Sequence, residues 1–161
     1  MQRKFTRKPK GPKALLSPII NFEDYTRTMT PLDRYRKHYL IFDYWNDELI
    51  ASLQSPPLNP KRYKRASTES LTELGELQRL VTEDLAPRFA PLIEERSKLD
   101  RQFQRGTFND TDASRVIRTL EANTRQILRD FFWRDVQERL KSMEALSAST
   151  PPTDDGPAST P

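Results

Sequence analysis

Between Thr30 and Leu53, Tyr35, Tyr39, Phe42, Asn46, Leu49 and Leu53 recur at spacings of four, three, four, three and four residues, which lines them along one helical face. His38, Ile41 and Trp45 widen that stripe. Thr30 can accept a hydrogen bond from an unpaired amide, Pro31 lacks the N–H that a first helical residue cannot use, and Asp33 places negative charge in the first turn. A helix over 31–53 is predicted. Its stripe is too broad and aromatic for water. Burial contributes roughly 1.5–3 kcal/mol per large apolar side chain, so this helix docks on elements later in the chain.

The run QSPPLNP stops that helix, because Pro56 and Pro57 cannot continue it, and Asn59–Pro60 repeats the start signal. A second helix is predicted over 60–86, with Leu71, Leu74, Leu77, Val81 and Leu85 on its apolar side and Glu69, Glu73, Glu76 and Glu83 largely elsewhere. Its first turn, Lys61, Arg62, Lys64 and Arg65, sets positive charge at the positive end of the helix dipole. Such a turn either frays or takes an external anion. Pro87 and Pro91 predict a kink or a break between Ala86 and Leu92. Helical spacing resumes at Phe89, Leu92, Ile93, Leu99 and Phe103, for a third helix over 88–105 that Gly106 caps. The last helix is predicted over 111–146, roughly 50 Å long at the α-helical rise. Its apolar positions are Ala113, Val116, Ile117, Leu120, Ile127, Phe131, Val136, Leu140 and Met143. Glu121 with Arg125, Asp130 with Arg134 and Asp135 with Arg139 would support it as pairs four apart.

These elements describe an all-α fold, an elongated antiparallel bundle of three to four helices over 30–146. The expected core is Tyr35, Tyr39, Phe42, Leu49, Leu74, Leu77, Val81, Leu85, Leu92, Leu99, Ile117, Leu120, Ile127 and Phe131. Residues 14–29, with Leu15, Leu16, Ile19, Ile20, Phe22 and Tyr25 interrupted by Pro18, are expected to pack on the bundle as an extended segment or short helix.

Composition adds the ends and removes several chemistries. Residues 1–13 carry Arg3, Lys4, Arg7, Lys8, Lys10 and Lys13 with no acid, a basic arm that cannot build a core. Residues 147–161 hold no large apolar side chain and read as a disordered Ser/Thr/Pro tail. The chain has no cysteine, which excludes disulfides, thiolate nucleophiles and cysteine-bound metals. Four glycines are too few for many hairpins or a phosphate-cradling loop. No apolar run reaches the roughly 20 residues that span a bilayer, and a cytoplasmic protein is the expectation.

One histidine cannot build a di-metal helical site or a zincin. His38 therefore reads as a packed side chain rather than a catalytic base. Asp43, Asp47 and Glu48 form the best carboxylate group, and Asp43 and Asp47 lie one turn apart, yet acids at that spacing are usually a solvated face. Asn46 either fixes register inside the seam, as buried asparagine does in coiled coils, or lies at its edge. Trp45 and Trp133 read as core or boundary residues rather than base-stacking platforms. Catalytic residues, metals and cofactors are not expected. The leading functional expectation is a non-enzymatic helical interaction or scaffold protein that binds a protein partner or itself. The alternative is a nucleic-acid-associated protein whose arm, with Lys61, Arg62, Lys64 and Arg65, holds phosphates or an anionic surface without reading sequence.

Overall fold

A computed structural model describes residues 29–148, which form an all-α antiparallel bundle. The basic arm, nearly all of the segment over 14–29 and the chain beyond Ala148 lie outside the described residues. The α-helices are α1 (Pro31–Gln54), α2 (Pro60–Leu80), α3 (Ala90–Arg105), α4 (Ala113–Asp130) and α5 (Met143–Ala148), with single 3₁₀ turns at Ala86–Phe89, Asp110–Asp112 and Gln137–Arg139. The four long helices form the body. Cross-helix bonds give the order: His38 meets Glu73 and Arg62 meets Glu48 between α1 and α2. Ser67 meets Asp100 between α2 and α3, Asn123 meets Glu95 between α4 and α3, and Asn46 meets Thr124 between α1 and α4. Each neighbour is antiparallel, and the ring closes.

Local chemistry sets the starts. Thr30 Oγ1 accepts from Asp33 N at 3.1 Å while the Asp33 carboxylate reaches back to the Thr30 amide, a reciprocal cap that satisfies two orphan donors. Asn59 Oδ1 caps α2 by accepting from Lys61 N and Arg62 N at 3.1 and 3.3 Å. Pro87 and Pro91 break rather than kink the chain. Each occupies a first-turn position, Pro87 of the 3₁₀ turn and Pro91 of α3, where no amide is lost. Gly106 ends α3 at φ 70°, a left-handed conformation that glycine takes without a Cβ clash.

Two helices end earlier than periodicity predicts. α2 stops at Leu80, not near residue 86, because Val81 turns extended and forms an isolated antiparallel bridge with Leu140. Thr82 N donates to Arg139 O and Lys141 N to Leu80 O, both at 2.9 Å, so the chain exchanges helical bonds for cross-chain ones. α4 stops at Asp130, well short of residue 146. Successive helical positions are 100° apart, so a continued helix would point Phe131, Phe132 and Trp133 in three directions and leave part of that aromatic surface in water. The break resolves this. Phe131 is fully buried against Phe89 with ring centroids 3.9 Å apart, while Phe132 and Trp133 pack half-buried beside it. Asp130 pairs with Arg129 and Arg88 rather than with Arg134. After the break α5 returns Leu146 to the core and extends to Ala148, into the stretch expected to be tail.

Among the described residues the core has two clusters. One holds Tyr35, Tyr39, Phe42, Leu74, Leu77, Leu80, Val81, Leu85, Phe89, Leu92, Ile127, Phe131, Val136 and Leu146. The other holds Leu49, Leu53, Tyr63, Ala66, Phe103, Val116 and Leu120, with Leu99 and Ile117 only partly buried against it. The two partly buried side chains are the ones from the expected core that sit at its margin.

Candidate binding groove and buried polar layer

Where the start of α2 lies beside the second half of α1, Tyr44, Trp45, Glu48, Asn59, Lys61, Arg62 and Arg65 line an open groove of about 360 Å³. The α1 wall is aromatic: the Tyr44 and Trp45 rings meet edge-on at 5.1 Å and 71°. The α2 wall is basic. Arg62 spans both oxygens of Glu48, with Nη2 donating to Oε2 at 2.9 Å and Nε to Oε1. That fork holds the Glu48 carboxyl below the usual glutamate range. The basic first turn therefore neither frays nor needs an outside anion, since Glu48 and the Asn59 cap hold it. Arg65 lies over the Trp45 ring at 5.2 Å and is 4.0 Å from Glu69. Lys64 turns to α3, its Nζ donating to Gln104 O at 3.2 Å. Of the four expected phosphate contacts on α2, Lys61 and Arg65 keep their charge toward the groove, and those of the arm lie outside the described residues.

The other candidates separate. His38 Nδ1 is 2.6 Å from Glu73 Oε2, half-buried between α1 and α2. Burial raises the Asp43 carboxyl, and the neighbouring Asp47 charge adds to this. Among the described residues no three acids or histidines gather into a metal-binding group. Trp133 is flanked by the Arg36 and Arg134 guanidinium groups at 4.7 and 4.8 Å. Most large apolar side chains are covered, but Leu40 and Leu128 stay about half exposed, at 51% and 55%.

Asn46 is fully buried and sits within the seam, where it belongs to a polar layer between the two apolar clusters. Its Oδ1 accepts from Arg96 Nη2 at 2.5 Å and its Nδ2 donates to Thr124 Oγ1 at 2.8 Å, which in turn donates to Leu120 O. Asn123 Nδ2 donates to Glu95 Oε2 at 2.7 Å. Arg96 is almost wholly buried, and burial pulls its guanidinium down to about 10, so it stays charged at neutral pH. Its Nε and Nη1, and Asn123 Oδ1, have no hydrogen-bond partner among the described residues. Sequence reading passed over Arg96 and Asn123, yet the signal is present. Arg96 stands between Leu92 and Leu99, and Asn123 between Leu120 and Ile127, each inside the apolar spacing of its helix.

No protein-family model, curated protein or solved structure matches the chain. Among the described residues no helix is long and apolar enough to cross a membrane.

Proposed function

We propose that this is a non-enzymatic helical interaction protein that holds a protein partner or a second copy of itself on the outside of the α1 and α4 pair. The observation that supports this reading is the exposure of Leu40 and Leu128 on a bundle whose own core is closed. Tyr35 meeting Phe131 and Asn46 meeting Thr124 set the antiparallel register, which brings Leu40 and Leu128 to the same level of the bundle. A protein face that sheds water there gains apolar burial without any rearrangement of the core. Light scattering across a dilution series should show mass that grows with concentration, and Leu40→Glu with Leu128→Glu should return the chain to monomer with helix content unchanged. The reading fails if the chain stays monomeric throughout and crosslinking in its native extract gives adducts that the two substitutions leave unchanged.

A further inference from the structure

We infer that the groove between α1 and α2 is a binding site for single-stranded nucleic acid, with one base on Tyr44 and the flanking phosphates on Lys61 and Arg65. The site goes beyond the protein-binding face, and Leu40 and Leu128 take no part in it. Tyr44 is 62% exposed, and the edge-on contact with Trp45 sets its ring as a wall of the groove. An exposed aromatic ring in a cationic groove is what an unpaired base stacks on, because every base has a π-face and the phosphates beside it need counter-charge. Arg65 supplies that charge in an ordered form. Its side chain is 69% exposed and lies over Trp45, so the indole orients the guanidinium from its face, while Glu69 stands 4.0 Å from Nε and a phosphate competes with that carboxylate for the edge. Lys61 precedes it by one helical turn, about 6 Å along the axis, so the two cations can straddle consecutive phosphates.

The remaining charges shape the choice of ligand. Arg62 neutralises Glu48, the carboxylate in the groove lining, and Glu69 stands outside that lining beside Arg65. The first amides of α2 are capped by Asn59, so recognition rests on side chains rather than on the helix end. A duplex keeps its bases stacked inside and cannot present one to Tyr44, so single strands are favoured. A run of acidic side chains alone would satisfy Lys61 and Arg65 but offers no aromatic ring to stack on Tyr44.

The test uses full-length protein in which Arg3, Lys4, Arg7, Lys8, Lys10 and Lys13 are changed to Ser, so that the arm contributes no phosphate contacts. Fluorescence anisotropy then follows a labelled eight-nucleotide single strand, the matching duplex, a mononucleotide and a poly-glutamate peptide at several salt concentrations. The single strand is expected to bind best. Tyr44→Ala should weaken it roughly 5- to 150-fold, the range for losing one stacked base. Lys61→Ala with Arg65→Ala should lower the salt slope by about 1.4, the value for two contacts on a single strand. All three residues are on the surface, so circular dichroism should not change. Absence of single-strand binding overturns the proposal, as does binding that these substitutions leave untouched. A mononucleotide that binds as tightly as the strand, or poly-glutamate that binds more tightly with the same sensitivity, also overturns it. Loss of self-association in the Leu40 and Leu128 variants leaves this experiment unaffected.

Discussion

Arg96 concentrates the tension of the core in a single side chain. A buried guanidinium loses its hydration, and here one nitrogen is bonded while Nε and Nη1 are left without partners. Arg96→Met removes the under-bonded guanidinium but leaves the buried Asn46 Oδ1 without its donor, so the two effects oppose and stability should change little in urea unfolding, whereas Arg96→Met with Asn46→Leu should leave it unchanged or raise it by about 1–4 kcal/mol. A large loss would show that the charge stabilises the fold through contacts beyond Asn46. Asn46→Ala removes the Arg96 acceptor and should cost roughly 1–3 kcal/mol, and a double-mutant cycle should show that cost shrinking in the Arg96→Met background. Asp43 permits a pH test. Its folded pKa is raised by burial and by Asp47, so its contribution is favourable below the unfolded pKa and is lost as pH rises through the folded one. Asp43→Asn should stabilise the protein at pH 7 relative to the parent and confer no such gain at pH 3. In an NMR titration Asp47→Asn should move the Asp43 midpoint down.

At the scale of the element, caps and breaks carry separate energies. Thr30→Ala destroys the reciprocal cap of α1 and should cost about 0.5–2 kcal/mol, measured by thermal unfolding. The end of α4 depends on burial instead. Phe131→Ala should cost about 3–5 kcal/mol because the ring is wholly enclosed against Phe89. Tyr35 also secures this break, its hydroxyl donating to Phe131 O at 2.9 Å, and burial raises the phenol well above its ordinary value. Tyr35→Phe should cost about 0.5–1.5 kcal/mol, more if the freed carbonyl stays dry. An unchanged melting temperature in the Phe131 variant would remove that residue as the anchor of the break.

For the whole molecule, the polar layer raises the question of whether the two clusters melt together. α1 and α4 run through both, contributing Phe42 and Ile127 to one and Leu49 and Leu120 to the other, so a single cooperative transition is expected. Trp133 packs on the first cluster and Trp45 on the second, so single-tryptophan variants should give coincident fluorescence unfolding curves. Curves with different midpoints would show that the layer divides the bundle. The four long helices, the starts of α1 and α2 and the Gly106 cap were legible along the chain, because stripe, cap and proline signals act within a few residues, whereas α3 and α4 begin two residues later than expected, each behind a 3₁₀ turn. So was Asn46 as a polar seam residue, although its burial was open. The early ends of α2 and α4 were not. Val81 and Phe131 satisfy helical spacing as well as any stripe residue, and what turns the chain there is Leu140 and Phe89, both distant in sequence. The groove likewise depends on a fork from Glu48 to Arg62 and on Arg65 crossing to Trp45. Local sequence therefore decided where helices form and which face is apolar. Only the tertiary structure decided where they stop, which cations line the groove and which charge is buried, because those outcomes depend on side chains brought together by packing.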